Sequence, residues 1–197
     1  MAIYSIFSQP SSPASLASDT DSYTLGMQFV LSADAALTGI WFHSASGAGS
    51  LPAACAIYDV SSQTIVSGTS NTSPSWSGSA GSGWVKCSYA GDVTLTASTG
   101  YKVVVQRGTG ANWYSATANY WSSGAGASGI ISGILTAPNN TSSAGGQDTF
   151  NTPSVGLTYP GSSYNANNYW IDVEVNVSGG GSSGGVSSQG APMALFL

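Results

Sequence analysis

Charge is scarce in this sequence, because three Lys or Arg and eight Asp or Glu make up only 6% of its 197 residues. Three cations cannot neutralise a nucleic-acid backbone or hold an anionic membrane surface, so the composition excludes nucleic acid and membrane as partners. The helix-favouring residues Glu, Lys and Arg are nearly absent, whereas Ser, Thr, Gly, Val and aromatic residues are abundant. The composition therefore predicts strands and tight turns.

Side chains that bind metals are few as well. The only cysteines, Cys55 and Cys87, and the only histidine, His43, do not have the spacing of a metal site. The cysteines are either a disulfide pair on neighbouring strands or two buried thiols. Asp19 and Asp21 form an Asp-x-Asp before the first core strand, which either binds a structural Ca²⁺ or makes local turn hydrogen bonds. Apart from that Ca²⁺, the sequence predicts no cofactor.

The sequence also lacks a recognisable catalytic constellation. His43 lies in a strand-like run beside Trp41 and Phe42, and no serine has the Gly-x-Ser-x-Gly surroundings of a nucleophile elbow. Asp172 and Glu174 are two residues apart on a predicted strand, so they share one face, which we expect to be solvated. These patterns favour a protein that is not an enzyme.

Long apolar runs and export signals are missing too. No apolar run approaches the ~20 residues of a membrane helix. Residues 1–7 lack the basic start and the long apolar stretch of a secretion signal. The surface rich in Ser, Thr and Gly nevertheless suits a protein that works outside a cell. A virion assembled in the cytoplasm and released by lysis reconciles these features, so we expect a virion location, with a secreted or cell-surface protein as the alternative.

What the sequence does contain is a series of short alternating apolar patterns typical of β-strands. In residues 23–31, one face carries Tyr23, Leu25, Met27, Phe29 and Leu31. Further strands are predicted at 37–43, 54–60, 63–66, 84–89, 92–96, 101–106 and 169–177, with 54–60 and 63–66 forming a hairpin and with Ile171, Val173 and Val175 facing the core. This spacing predicts an all-β, antiparallel two-sheet sandwich or jelly roll with long Gly/Ser/Asn-rich loops.

Changes in composition divide the chain into three parts. Residues 1–177 form the predicted β-sandwich domain, in which 122–160 are predicted to be long surface loops with one short strand near 130–135. Residues 178–190 are a Gly/Ser-rich linker. Residues 191–197 are predicted to be an apolar docking peptide for a partner or for another copy of the chain, and a frayed end is the alternative. The apolar side chains of this peptide are Met193, Leu195, Phe196 and Leu197.

Two aromatic pairs are the best candidates for a binding surface. Trp113 and Tyr114 are followed, across a short segment, by Tyr120 and Trp121. Flat rings in loops stack on sugar faces, and Trp and Tyr also anchor protein interfaces. Core packing is the alternative for these rings, and their spacing does not separate the two.

The order of several short motifs resembles one known family. These motifs, at residues 23–29, 37–42, 82–85, 93–101 and 159–173, resemble the family called domain of unknown function 4082 from about Ile3 to Val177. The resemblance implies a β-sandwich module of the kind found in secreted bacterial proteins beside carbohydrate-related domains, and in phage virion proteins. It implies no catalytic residues.

We therefore expect a non-enzymatic phage virion structural protein, either a capsid decoration protein or a minor tail protein. Its partners are then other virion proteins or its own copies, and adhesion to a host cell-wall glycan is compatible with that role. The alternative is a carbohydrate-binding module of a secreted bacterial cell-surface protein.

Overall fold

The computed structural model describes residues 2–9, 15–19, 21–107, 112–152 and 156–177, and it describes their side chains except at 15–19 and 112–113. The described residues form thirteen strands: β1 (Ala2–Ser5), β2 (Ser15–Asp19), β3 (Thr24–Leu31), β4 (Ala35–Ser44), β5 (Ala54–Asp59), β6 (Gly83–Ser88), β7 (Thr94–Leu95), β8 (Gly100–Gln106), β9 (Asn112–Ala116), β10 (Ile130–Ser132), β11 (Leu135–Ala137), β12 (Asp148–Asn151) and β13 (Ile171–Val177). None of the helical turns in these ranges is long and apolar enough to cross a membrane.

The strands pair antiparallel in two main sheets and one ribbon. The first sheet has the order β1-β13-β4-β6, and β7 also pairs with β4. The second sheet has the order β10-β11-β3-β8-β5, and β12 also pairs with β3. Strands β2 and β9 form the ribbon. The two main sheets pack against each other through one apolar core, which confirms the predicted two-sheet sandwich.

The core is built from the alternating apolar faces that the sequence indicates. In β3 the side chains of Leu25, Met27, Phe29 and Leu31 are at most 1% exposed. From the facing sheet, the three predicted core residues of β13 are completely buried: Ile171, Val173 and Val175. Burying a large aliphatic or aromatic side chain contributes roughly 1.5–3 kcal/mol, so these two strands supply much of the apolar burial that holds the sheets together.

The other face of β13 is not solvated, and our expectation for Asp172 and Glu174 was wrong. Asp172 is completely buried and Glu174 is 9% exposed. The segment after β1 folds over this face, and the Asp172 carboxylate accepts hydrogen bonds from Ile6 N (2.9 Å), Phe7 N (2.8 Å) and Gln9 Nε2 (3.1 Å). Burial raises the pKa of Asp172 to about 7, although these donors oppose the shift.

Glu174 is buried for a different reason. Its Oε1 lies 2.6 Å from Nζ of Lys86 on β6, which is separated from β13 by β4, and it also accepts from Thr38 Oγ1 at 2.8 Å. Oε2 accepts from Trp41 Nε1 at 3.3 Å. An outward polar residue of a strand is therefore buried when another segment or the side chains of nearby strands cover it. The periodicity of the sequence does not reveal this covering.

Residues 122–160 contain more strands than the single one that we predicted among the surface loops. They contain β10, β11 and β12, and their turn at residues 144–146 packs on the outer face of the second sheet, where Gln28 Nε2 donates to two backbone carbonyls at 2.8 Å each. Lys102, which is completely buried, donates to Thr149 Oγ1 (2.8 Å) and Pro160 O (2.9 Å). Polar side chains on the outer face of central strands thus hold loops against the sheet by hydrogen bonds. Such loops need no apolar pattern, so the sequence does not reveal that they are packed.

Two smaller predictions need correction. The predicted hairpin of 54–60 and 63–66 is present, but residues 63–66 form no strand and only a single bridge joins Tyr58 to Ile65. Asp59 N donates to Thr64 O and Val66 N donates to Ile57 O across the turn, at 2.9 Å each. The predicted strand near 130–135 is instead the hairpin of β10 and β11.

The cysteines lie on strands of different sheets, Cys55 on β5 and Cys87 on β6, and not on neighbouring strands. Both are buried free thiols. Asn71 Nδ2 donates to Cys87 Sγ at 3.5 Å, and Cys55 Sγ lies 3.5 Å from the Tyr89 hydroxyl. This arrangement corresponds to the buried-thiol alternative.

The Asp172 carboxylate generates a stability prediction. Replacing Asp172 with Asn exchanges one acceptor oxygen for an N–H₂ group that faces backbone donors, so at least one buried N–H loses its partner. We expect the free energy of unfolding to fall by about 2–4 kcal/mol in urea titrations. The exposed Asp92→Asn is the matched control, with an expected change within about 0.5 kcal/mol. Equal effects of the two substitutions would contradict the role of Asp172.

Candidate ligand-binding cleft

The segment 164–170, just before β13, has an unusual backbone. Asn165, Ala166 and Trp170 have φ angles of 49°, 43° and 54°. The left-handed region costs an L-residue roughly 1–2 kcal/mol, and Asn tolerates it better than Ala or Trp. Such strain persists only where surrounding contacts over-determine the backbone, and it is concentrated at functional sites. We call these residues the strained segment.

Residues 117–121, which follow β9, hold one side of the strained segment. Thr117 and Asn168 exchange two backbone hydrogen bonds of 3.0 Å each, and Trp170 Nε1 donates to Thr117 Oγ1 at 3.0 Å. Two more backbone bonds run from Asn119 N to Asn165 O (2.8 Å) and from Trp121 N to Ala166 O (3.1 Å). The segment is therefore fixed to the chain that leaves the ribbon.

A buried acid of β12 holds the other side. Asp148 is completely buried, and its Oδ2 accepts a hydrogen bond of 2.7 Å from Tyr169 N. Burial raises the pKa of Asp148 well above its ordinary value, while the bond from Tyr169 N and the charge of Lys102 oppose that shift. Because Asp148 pairs with Met27 of β3, this acid fixes the strained segment to the second sheet.

An open cavity of about 330 Å³ lies beside the strained segment, at the lower end of the size range of ligand pockets. Its wall combines residues from four separate parts of the chain: the start of β3, the ribbon strand β9, β12 and the strained segment. The lining consists of the rings of Tyr23, Tyr114, Phe150, Tyr164 and Tyr169, together with Leu25, Ala116 and Asn167. We call this cavity the aromatic cleft.

The rings of the aromatic cleft form a continuous wall. The centroid of Tyr23 is 5.8 Å from that of Tyr114 and 6.1 Å from that of Phe150. Tyr114 is in turn 5.9 Å from Tyr169. These separations lie in the range of favourable aromatic pairs, so the rings hold one another in place. Tyr164 stands at the rim with 60% of its surface exposed.

The aromatic cleft offers stacking and hydrogen bonding. Its described lining contains no carboxylate, imidazole, thiol or ammonium group. Burial raises the pKa of Tyr169 above its ordinary value, and a hydrogen bond with the Asn167 side chain opposes the shift. Asn167 is 9% exposed, and its Oδ1 has no hydrogen-bond partner. The cleft is therefore suited to a neutral ligand that has flat apolar faces and polar groups that can bond to phenol hydroxyls.

The four aromatic residues predicted as a binding surface do not form one surface. Tyr114 lines the aromatic cleft, whereas Trp121 is 1% exposed and belongs to the core. Tyr120 is half-buried, with its ring centroid 5.5 Å from that of Trp170. The side chain of Trp113 lies outside the described residues. For Trp121 the structure thus corresponds to the core-packing alternative.

The remaining candidate residues are placed elsewhere. His43 is 9% exposed, its Nδ1 lies 2.6 Å from Ser115 Oγ, and burial lowers its pKa. Asp21 is exposed, and the Asp19 side chain lies outside the described residues. Within the described ranges no three His, Cys, Asp or Glu side chains are grouped as a metal site. The docking peptide with Met193, Leu195, Phe196 and Leu197 also lies outside the described residues and stays a prediction.

The sequence contains a signal for the strained segment that our sequence analysis did not use. Residues 164–169 place three asparagines between two tyrosines. Asparagine is the L-residue that most readily adopts left-handed backbone, so an Asn-rich run between aromatic residues indicates a turn that presents rings. The assignment of Phe150 and Tyr23 to the same cleft required the strand pairing of β12 with β3.

Comparison with known families gives one result. A family model described as a domain of unknown function (DUF4082) matches residues 9–171 of the chain. The match confirms the resemblance indicated by the motifs. No curated protein matches the chain.

The strained segment generates a prediction about stability. Replacing Ala166 with Gly relieves a left-handed penalty of about 1–2 kcal/mol and introduces a Gly entropy cost of about 0.5–1 kcal/mol. We expect the free energy of unfolding to rise by up to about 1.5 kcal/mol in urea titrations. In the exposed control Ala118→Gly, where φ is not positive, it falls by about 0.5–1 kcal/mol. A similar loss in both variants would show that the backbone at Ala166 is not strained.

Proposed function

We propose that this chain, which belongs to the DUF4082 family, is a non-catalytic carbohydrate-binding module that holds its ligand in the aromatic cleft. The observation that carries the proposal is the continuous wall of tyrosine and phenylalanine rings around an open cavity of about 330 Å³. A strained backbone segment that forms part of the same cavity supports it.

Sugars match the chemistry of this lining. A pyranose ring presents C–H groups on its faces and hydroxyl groups at its edge, so it stacks on aromatic faces and donates hydrogen bonds to phenol and amide oxygens. The lining supplies both kinds of group, the rings of Tyr114 and Tyr164 and the amide of Asn167.

The arrangement of the lining also favours binding over chemistry. Glycoside hydrolysis requires two carboxyl groups that flank the scissile bond. The buried Asp148 bonds to Tyr169 N behind the cleft wall and does not belong to the lining. The groups that do line the cleft can position a ligand but cannot activate water. This supports a module that anchors the protein carrying it to a glycan.

The proposal predicts that Tyr164→Ala weakens glycan binding without unfolding the domain. Tyr164 is 60% exposed, so its removal leaves the core intact, while loss of one stacking ring of roughly 1–2 kcal/mol reduces affinity about 5- to 30-fold. Isothermal titration calorimetry with a panel of soluble oligosaccharides measures the effect.

Ile131→Ala is the matched control for this experiment. Ile131 is 78% exposed on β10 and does not line the aromatic cleft, so its variant should bind as the wild type does. The proposal fails if no oligosaccharide in the panel binds the wild-type chain. It also fails if the two variants weaken binding equally.

The location of the protein that carries this module is a separate question. The Gly/Ser-rich residues 178–190 and the apolar peptide after them suit attachment to a larger assembly, and on this composition we propose a virion as the location, with a secreted bacterial surface protein as the alternative. In both cases the aromatic cleft would supply adhesion to a cell-wall glycan, and attachment would come from a different part of the chain.

A further inference from the structure

We propose that Cys55 and Cys87 form a disulfide that joins the two sheets when the chain folds in an oxidising environment. The inference is independent of the proposed function, because neither cysteine lines the aromatic cleft. It is carried by the direct contact of two thiol groups that belong to different sheets.

The two cysteines lie on strands that end their sheets. Cys55 is on β5, the last strand of the second sheet, and Cys87 is on β6, the last strand of the first. Both side chains belong to the apolar core between the sheets, and they are 0% and 1% exposed. A bond between them would therefore cross the core at one side of the sandwich.

Several contacts bring the two sulfur atoms together. The thiol of Cys55 forms a hydrogen bond with that of Cys87, and this bond is the main cause that lowers the pKa of Cys87. Asn71 exchanges two backbone hydrogen bonds of 2.9 Å with Cys55, while its Nδ2 donates to Cys87 Sγ at 3.5 Å. The Tyr89 hydroxyl, on the chain just after β6, lies 3.5 Å from Cys55 Sγ. These contacts hold the two cysteine side chains next to each other in the reduced fold.

The placement of the two strands suits a covalent bond. A disulfide requires two Cβ atoms that face each other at close range, and strands of opposite sheets meet this requirement where their side chains enter the same part of the core. Disulfides between the two sheets occur in other β-sandwiches for the same reason.

The reaction consists of two thiol–disulfide exchanges with a small disulfide such as oxidised glutathione. One cysteine thiolate attacks that disulfide, forms a mixed disulfide and releases one glutathione thiolate. The second cysteine thiolate then attacks the cysteine sulfur of the mixed disulfide and releases the other glutathione thiolate. The two cysteines lose two electrons and two protons, which convert the oxidised glutathione to two glutathione thiols.

Burial of the cysteines does not prevent this reaction, because it accompanies folding. Both thiols are open to solvent in the unfolded chain, and the native contacts align them as the core closes. In a reducing cytoplasm the two residues stay thiols, as in the structure, whereas in an oxidising compartment they become joined.

Refolding of the full chain tests the proposal. The chain is unfolded in urea with dithiothreitol and is then refolded either in a mixture of oxidised and reduced glutathione or in dithiothreitol alone. Because the sequence contains only two cysteines, a disulfide within one chain gives a monomer that is about 2 Da lighter and has no free thiol. We expect this product from the glutathione mixture, with the circular dichroism spectrum of the reduced protein.

The disulfide should also raise the melting temperature. It restricts the unfolded chain between residues 55 and 87, so we expect the oxidised protein to melt about 5–10 °C above the reduced protein. Cys87→Ala is the matched control, because a single thiol cannot close the bond, and its melting temperature should be the same after both refolding reactions. If Cys87→Ala does not fold, the mass and the melting temperature of the wild type decide alone.

Other products of the oxidative refolding overturn the proposal. A wild-type chain that keeps both thiols, carries bound glutathione or forms disulfide-linked dimers contradicts the alignment of the two cysteines. A disulfide within one chain that changes the spectrum or fails to raise the melting temperature shows that the fold does not accommodate the bond. The carbohydrate-binding proposal stands or falls separately from each of these results.

Discussion

A hydrogen bond of 2.7 Å joins the backbone N–H of Tyr169 to the carboxylate of Asp148, which is completely buried. It ties the strained segment to β12, and β12 pairs with β3 at the centre of the second sheet. Burying a carboxyl group is unfavourable unless it is well paired, and the Tyr169 N–H, the charge of Lys102 and the Trp121 side chain all oppose the rise of the Asp148 pKa. The position of the aromatic cleft therefore depends on an interaction that core packing alone does not require.

Backbone strain lies directly beside this bond, at Asn165, Ala166 and Trp170. Asp148 also interacts with the side chain of Trp121, which opposes the rise of the Asp148 pKa. Elsewhere in the described structure, Asp172 and Lys102 are equally buried, and each makes hydrogen bonds that hold neighbouring segments in place. Natural proteins break the rules of local consistency mainly at functional sites, where ligand contacts compensate. The strained backbone beside the cleft supports our proposal that it binds a ligand, whereas Asp172 and Lys102 have a structural role.

The sequence predicts the sandwich well because alternation marks a face that is buried in the core. Leu25 to Leu31 and Ile171 to Val175 are examples. It predicts poorly where polar residues are buried by hydrogen bonds, as at Asp172 and Lys102, and where a strand such as β12 lacks apolar alternation. Of the cleft rings, the candidate surface included only Tyr114, because the others come from distant segments that only strand pairing brings together.

Hydrogen–deuterium exchange of the full chain, with and without a saturating concentration of an oligosaccharide that binds in the calorimetric panel, tests most directly whether the strained segment is the ligand-contacting part of the molecule. A bound ligand stabilises the conformation that it contacts, so local opening there becomes rarer. We expect slower exchange in peptides that cover residues 164–170 and the strands of Tyr114 and Phe150, with no change in the β10–β11 hairpin. Slower exchange confined to that hairpin or to another distant region, with residues 164–170 unaffected, would contradict the assignment of the aromatic cleft as the binding site.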